Sequence, residues 1–437
     1  MSDSKKNQLR KTLGLSFNIA VLIGGTIGVG ILRTPGTIAG LLDNYWLIIA
    51  SWLFGGLFVL IGANSYAELA TMLPKAGGSY NYIKKAFGDY AGFISGWFDY
   101  ITNAIPPAFY CIVISEYIII LFPFLGNYST VIAISLLVAF VLLHLSGVKN
   151  GSAFQQITSF IKVICFVCLV VACFMYSGVK VPVIEKDSSF FQIGLLFGIF
   201  KSLQLIIGTY NGWNSVCFFA EENDDPGKNI PRSLYSGVLL VIAIYVLLNL
   251  AFFHVLSLET IAKSNLAAAE VASVIFGKNG AAIVIVISIF SLISILNAFM
   301  MIPPRILFGL SRDGFFIEKG TTVNKGGTPI IALLISSLFS LFLICIGSFE
   351  VLFSFAAFTS VIVWGLAYFS LLKLRTSEPD LPRPYRSKFH PWLTILAIIV
   401  SLALLVGFVY SDPKGFGVIV VISLISYPLF LILKRRK

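Results

Sequence analysis

Two apolar stretches of the chain contain glycines and polar residues that weaken helices. The first, GGTIGVGILRTPG, covers residues 24–36, and the second, GTYNGWNS, covers residues 208–215. Each glycine inside a helix costs about 1 kcal/mol relative to alanine. A helix interrupted at such a point offers unpaired N–H groups to an anion and unpaired carbonyls to a cation. Two such breaks suit a small zwitterion that carries a carboxylate and an ammonium.

A charged residue inside an apolar stretch is a second sign of chemistry. Lys162 lies in QQITSFIKVICF, about one third of the way into a long apolar stretch. A rise of 1.5 Å per residue gives it a depth of about 13 Å. Charges at that depth are costly and mark functional sites, whereas a shallower lysine would extend its ammonium to the surface. We favour a functional role, because snorkelling from that depth is strained.

Four other polar residues are placed less clearly by the sequence. Asp99 and Asn103 are four residues apart and therefore share a helical face. They either contact a substrate or a proton, or form hydrogen bonds that join neighbouring helices. Arg33 directly follows the first glycine cluster and is expected to face an outer vestibule with an acidic partner. Lys201 precedes the second cluster, and the sequence identifies no partner for it.

The composition requires a membrane to hold these residues. Of the 437 residues, 57% are hydrophobic and only 12% are charged, and the mean hydropathy is +0.92. A soluble chain would carry about 25% charged residues. Long apolar runs recur throughout, which indicates transmembrane helices and excludes the short alternating strands of a barrel. The sequence therefore predicts an all-α integral membrane protein.

We predict twelve transmembrane helices. The first follows a polar segment and lacks a cleavage site, so it is interpreted as a helix that is retained. The predicted spans are 14–39, 45–72, 91–121, 129–147, 154–177, 190–219, 232–256, 280–308, 329–347, 351–373, 391–410 and 415–433.

The distribution of basic residues predicts the orientation. With a cytoplasmic N-terminus, most of the 31 lysines and arginines lie in inner segments. Outer segments contain only Lys180, Lys186, Lys263, Lys278 and Lys414. The positive-inside rule therefore predicts a multi-pass protein of the cell membrane with both termini in the cytoplasm. The net charge of +11 thus reports topology and not a nucleic-acid partner, and the expected surroundings are a lipid bilayer.

The two glycine clusters lie five spans apart, which predicts a 5+5 inverted repeat with broken helices 1 and 6. The first repeat covers residues 14–180 and the second covers residues 187–375. Residues 391–433 form two further helices. Residues 1–13 and 434–437 are cytoplasmic tails. Paired interrupted helices in two halves point to a transporter binding site; the alternative is that these glycines only allow close helix packing.

Five motifs, in this order, resemble the amino acid–polyamine–organocation transporters, especially the bacterial relatives of the L-type amino acid transporters. They are GGTIGVGILRTPG, YAELATMLPKAGGSYNYIKKAFG, TYNGWNSVCFFAEENDDPGKNIPRSL, SLISILNAFMMIPPRILFGLSRDGFF and EPDLPRPYR. The resemblance covers nearly the whole chain. It implies the twelve-helix inverted repeat of the bacterial leucine transporter, with the substrate near the middle of the membrane.

The resemblance also implies a set of site residues. Backbone amides would hold the substrate carboxylate at Thr26, Ile27, Gly28, Val29 and Gly30. Carbonyls would receive the ammonium near Ile23, Gly208 and Tyr210. Apart from the resemblance, their positions in the spans assign Asn103 and Asn211 to the pocket and gate together with Trp213. Coupling would involve Lys162, as the resemblance implies, and Asp99, because of its depth in the membrane.

Two of these implied roles have particular consequences. Relatives that work without sodium often carry a lysine at the position of Lys162, where its ammonium resembles a replacement for a sodium ion. Many relatives carry an aromatic residue that covers the substrate at the position of Gly208. The glycine here implies either a larger pocket or closure by Tyr210, by Trp213 or by a residue of another span.

The leading hypothesis is a sodium-independent amino acid transporter, either an exchanger or a proton-coupled symporter. A polyamine or amine carrier is the alternative, although it should carry more acidic residues in the pocket than Asp99. No Gly-Lys phosphate-binding motif or convergent catalytic set is present, so we predict neither an ATP-driven pump nor an enzyme. No cofactor and no metal are expected, because the acidic run EENDDPGKN lacks the pattern of a calcium loop.

The cysteines bear on partner subunits. All six lie in predicted spans: Cys111, Cys165, Cys168, Cys173, Cys217 and Cys345. Because none lies in a predicted outer loop, no disulfide-linked partner subunit is expected.

Overall fold

A computed structural model describes residues 8–28, 30–178, 193–264, 266–346 and 350–434. Within these ranges the architecture is all-helical, in agreement with the predicted class. The only extended pairings there are isolated bridges between Leu13 and Asn223 and between Val323 and Pro329.

The described residues form seventeen α-helices, and eight of them lie in the first part of the chain. They are α1 (Leu15–Thr26), α2 (Gly30–Leu42), α3 (Tyr45–Met72), α4 (Ser79–Phe87), α5 (Asp89–Ala104), α6 (Pro106–Leu121), α7 (Ser129–Leu145) and α8 (Val148–Met175).

Nine further α-helices follow. They are α9 (Ile193–Tyr210), α10 (Pro226–Val255), α11 (Leu258–Lys263), α12 (Ala267–Phe276), α13 (Gly280–Arg312), α14 (Ile330–Ile346), α15 (Glu350–Ser377), α16 (Trp392–Ser411) and α17 (Pro413–Lys434). A 3-10 helix, Ser215–Glu222, lies between α9 and α10.

Polar caps set the starts of several helices. The side chain of Asn44 accepts a hydrogen bond from the Leu47 N–H at the start of α3. Asp225 does the same for α10, which has Pro226 in its first turn. These caps satisfy N–H groups that have no partner inside the helix. The apolar sequences that follow these caps then continue for 28 residues in α3 and 30 residues in α10.

Membrane-spanning capacity agrees with the predicted class. Across the described residues, nine apolar helical segments are long enough to cross a membrane, and the bent pair α1 and α2 makes a tenth. The predicted span 329–347 corresponds to α14, which has 17 residues. The predicted span 190–219 is divided into α9 and the 3-10 helix. The exact number of twelve crossings therefore stays a prediction.

One predicted span contains an interruption that the sequence analysis did not anticipate. Span 91–121 consists of two helices, because α5 ends at Ala104 and α6 begins at Pro106. Proline cannot donate a hydrogen bond to the preceding turn, and two prolines stand together here. The Thr102 and Thr359 hydroxyls, 2.7 Å apart, join α5 to α15 close to this point.

The helices that contain the two glycine clusters pack against several others. Helix α1 packs against α8, α10 and α13, whereas α9 packs against α2, α3 and α16. Every residue of α1 from Val21 to Thr26 is buried. The packing of α2, which contains the second half of the first glycine cluster, on α9 brings the two clusters together.

Candidate functional site

The first glycine cluster interrupts the helix between α1 and α2. Helix α1 ends at Thr26, and Ile27 turns to an extended conformation with φ −79° and ψ 106°. Its N–H still bonds to the Ile23 carbonyl at 2.9 Å. Helix α2 begins at Gly30, so its first N–H groups have no partner one turn back. Val29 lies outside the described residues.

Side chains from two other helices bind the Gly24 and Ile27 carbonyls that this break leaves free. The Lys162 ammonium of α8 donates to the Gly24 carbonyl at 2.9 Å and also to the Ile27 carbonyl. The Ser291 hydroxyl of α13 donates to the Ile27 carbonyl at 3.3 Å. Lys162 is only 1% exposed. The buried Lys162 ammonium therefore gives hydrogen-bond donors to carbonyls at the end of α1, and these carbonyls provide the acceptors that the ammonium needs.

The second cluster ends α9 at Tyr210, and the chain then turns into the 3-10 helix. Gly212 has φ +100°, a conformation that glycine adopts without a steric cost. A Cβ atom on Gly212 would lie 2.4 Å from the Gly25 carbonyl oxygen and 3.2 Å from the Thr26 nitrogen. The backbones of the two breaks are therefore in direct contact, and only glycine fits at this position.

Tyr245 of α10 joins the two breaks. Its hydroxyl lies 2.8 Å from the Thr26 carbonyl oxygen and 3.0 Å from that of Thr209. The side chain is fully buried. The sequence analysis did not identify this residue, because a single tyrosine in an apolar helix gives no signal of its partners.

The glycines of the two clusters divide into two groups. A Cβ on Gly24 would lie 1.8 Å from the Gln155 amide nitrogen, and one on Gly25 would lie 2.9 Å from the Ser215 hydroxyl. For these two glycines the packing interpretation is correct. A Cβ on Gly208 would meet no atom within 4 Å, so this glycine borders open space.

That open space is a cavity of about 370 Å³ beside the two breaks. Helices α2, α5, α6, α9, α13 and α15 contribute to its wall. Five predicted site residues line it: Thr26, Gly28, Gly30, Gly208 and Asn211. Thus residues of both glycine clusters share one cavity, as expected of two breaks that act together.

Other predicted site residues that the structure describes are not in the wall of the cavity. These are Ile23, Ile27, Asn103, Tyr210, Trp213, Lys162 and Asp99. The Tyr210 hydroxyl lies 3.3 Å from the Trp52 carbonyl. Trp213 packs edge-on against Tyr66 and Trp364. The side chains of Tyr210 and Trp213 therefore pack against residues outside the cavity wall and stabilise the second break.

Asp99 and Asn103 form a local pair on α5. The Asn103 amide donates to the Asp99 backbone carbonyl at 2.7 Å. The Asp99 carboxylate is buried and lies beside the Ser79 hydroxyl. Their roles in coupling and in the pocket stay predictions.

Aromatic side chains from other spans line the cavity that Gly208 leaves open. Phe109 and Tyr110 come from α6, and Phe299 comes from α13. Tyr210 and Trp213 are not in the wall, and which residue covers the substrate stays a prediction.

Ion pairs hold the far end of the second break. The Glu222 carboxylate, fully buried, accepts bonds from Arg305 of α13. Glu221 pairs with Arg312 at 2.8 Å and accepts from the Ala76 N–H at 2.8 Å. The sequence analysis considered these acidic residues only as a metal site. Their actual partners are arginines about eighty to ninety residues away in the sequence, which no local pattern reveals.

Comparison with known proteins agrees with this geometry. A model of the amino acid permease family matches residues 13–429. The chain belongs to this family. Membership confirms the predicted resemblance, and it makes the chain a transporter and not an enzyme.

Similar proteins cover almost the whole permease. The serine/threonine exchanger SteT of Bacillus subtilis is 28% identical, over 99% of both chains. The b(0,+)-type amino acid transporter 1 of Mus musculus is 26% identical, over 99% of this permease and 90% of its own length. The large neutral amino acids transporter small subunit 2 of Oryctolagus cuniculus is 28% identical, over 97% and 80%. These relatives support transport of amino acids across a membrane.

Proposed function

We propose that this permease moves amino acids by alternating access around a site near the middle of the membrane, without sodium. One observation carries the proposal: two helix breaks, in direct backbone contact, open onto the same 370 Å³ cavity. A zwitterion in that cavity meets the N-terminus of α2 and the C-terminal ends of α1 and α9. These ends have opposite partial charges.

The proposed site assigns each end of the substrate to one kind of backbone group. The carboxylate binds the amides of residues 26–30, where α2 begins. The ammonium binds carbonyls near Ile23, Gly208 and Tyr210. The fold around it is proposed as twelve spans, with repeats at 14–180 and 187–375, helices at 391–433 and tails at 1–13 and 434–437. Packing of α8 on α1 and of α15 on α9 supports such a repeat.

Lys162 supports sodium independence. Its ammonium bonds to two carbonyls of the first break, which are the kind of ligand that a sodium ion would take. A fixed cation at this point removes the need for a mobile one. We therefore propose that Lys162 stabilises the break throughout the transport cycle, and that exchange or proton symport supplies the driving force.

The choice between exchange and symport depends on different residues. The name of SteT, an exchanger, supports exchange. Symport would need a group that takes up a proton, and we assign that role to buried Asp99. Membership of the family supports a multi-pass protein, which we place in the cell membrane with both termini in the cytoplasm. We expect no disulfide-linked partner, although one relative is named as a small subunit.

The polyamine carrier is the weaker alternative. A polyamine site needs carboxylates, but the cavity wall of the described residues contains none, and it contains the cations Arg33 and Lys201. The wall therefore favours a substrate that brings its own negative charge.

Proteoliposome uptake tests the proposal. Vesicles with the full chain receive a labelled amino acid mixture, with and without sodium, an inward proton gradient and internal unlabelled amino acids. Uptake that needs internal amino acid but ignores sodium and pH supports exchange, whereas uptake driven by external acid supports symport. Strict sodium dependence would contradict the role of Lys162. Empty vesicles are the control, and no uptake above them would contradict amino acid transport.

A further inference from the structure

The cavity carries two positive side chains whose partners are neutral. Lys201 of α9 and Arg33 of α2 both line it. Over the described ranges, neither forms an ion pair with a carboxylate. The Lys201 ammonium donates to the Gln204 amide oxygen at 3.0 Å, and Arg33 lies beside the Tyr117 hydroxyl. Both cations therefore keep donors for a further acceptor.

The position of Lys201 makes it available to a bound molecule. Side chains on a helix lean toward its N-terminus, which for Lys201 is the direction away from Gly208. Its ammonium instead bonds to Gln204, one turn closer to Gly208. Lys201, Gln204 and Gly208 all line the cavity, as expected for residues three, four and seven apart on one helical face.

A cation that is removed from water needs a compensating charge. An ammonium has three donors, and the amide of Gln204 takes only one of them. Lys201 is half-buried and Arg33 is exposed, and a substrate that covers them would take them further out of water, which is unfavourable without a counter-charge. A carboxylate on the substrate would supply both the missing charge and the missing acceptors, through charge-assisted hydrogen bonds.

We propose that this permease prefers amino acids with a carboxylate side chain, with Lys201 and Arg33 as the residues that select it. This inference rests on the proposed function, since it takes the α-carboxylate and the ammonium to be bound at the two breaks. The side chain then points along α2 and α9 toward the two cations. Lys201 lies seven residues, or about 10 Å along the helix, from Gly208, so glutamate is the principal probe.

The test compares glutamate with glutamine, which differ only in carboxylate against carboxamide. Proteoliposomes loaded with unlabelled amino acids take up labelled serine, and each competitor is titrated outside. We expect glutamate to inhibit at a concentration at least tenfold lower than glutamine. In Lys201→Gln this ratio should fall about tenfold, to near one, the effect of one charge-assisted hydrogen bond. Lys201→Arg should retain most of the preference.

Lys263→Gln is the matched control, because Lys263 is exposed on α11, pairs with Glu259 and lies outside the cavity wall. The ratio of the glutamine to the glutamate inhibitory concentration in Lys263→Gln should equal that of the unmodified chain. If Lys201→Gln does not elute as a single species in detergent, Arg33→Gln provides the same measurement. Serine uptake with equal inhibition by glutamate and glutamine would overturn the acidic preference and leave the proposed function intact. Absence of uptake for every amino acid would overturn both.

Discussion

The two helix breaks are stabilised in different ways. The first relies on distant side chains, since Lys162, Ser291 and Tyr245 reach it from three other helices. The second is stabilised by its own turn. The Asn211 N–H bonds to the Gly208 carbonyl and the Trp213 N–H bonds to that of Tyr210, each at 3.3 Å. The carbonyls of the first break therefore depend on side chains elsewhere in the bundle, whereas the Gly208 and Tyr210 carbonyls of the second are paired within their own turn.

The largest effect on the transport rate should follow from removal of the Lys162 ammonium at the first break. Lys162→Met takes away the donor to the Gly24 and Ile27 carbonyls, and the Ile27 carbonyl then keeps only the Ser291 hydroxyl. We expect the maximal exchange rate to fall about ten- to hundredfold, as for loss of a charge-assisted hydrogen bond. Lys149→Met, at an exposed position of the same helix, is the control. Equal rates for both variants would refute the dependence of the first break on α8.

The largest effect on stability should arise at the contact between the two breaks. Gly212→Ala forces a side chain into φ +100° and against the Gly25 carbonyl. We expect a destabilisation of about 3 kcal/mol, seen as a lower melting temperature in detergent. An unchanged melting temperature would mean that the two backbones are not in contact.

A smaller effect is expected where Tyr245 bonds to both breaks. Tyr245→Phe leaves the Thr26 and Thr209 carbonyls without this donor. A loss of about 1–2 kcal/mol in the free energy of unfolding should result, together with slower exchange. Tyr410→Phe, at a position 54% exposed, should show neither effect. A Tyr245→Phe protein as stable as this control would exclude the bridge.

The smallest effect on stability is expected from Gly208→Ala, which is the counterpart of Gly212→Ala in the same turn. Its methyl group meets no atom within 4 Å, so the free energy of unfolding should stay within about 0.5 kcal/mol of that of the parent. The methyl group nevertheless enters the cavity. The half-saturating concentration for phenylalanine should rise several-fold relative to that for serine. A strong loss of stability would show that Gly208 is packed.

The sequence was sufficient to identify the elements of the site but not their partners. Glycine clusters and the deep lysine stand out because they violate the apolar pattern around them. Tyr245 is a tyrosine in an apolar helix and does not stand out from the residues around it. Glu222 and Arg305 lie far apart in the chain, so their pairing becomes visible only in the folded structure. Arg33 and Lys201 were noted as unusual, but their common cavity required knowledge that α2 and α9 pack together.

The contact of Gly212 with Gly25 has a mechanical consequence. Side chains absorb small displacements by changing rotamer, but two touching backbones have no such slack. A shift of a few tenths of an ångström at the end of α9 must therefore move the end of α1 or open the contact. A displacement that a ligand causes at one break would therefore move the backbone of the other break directly.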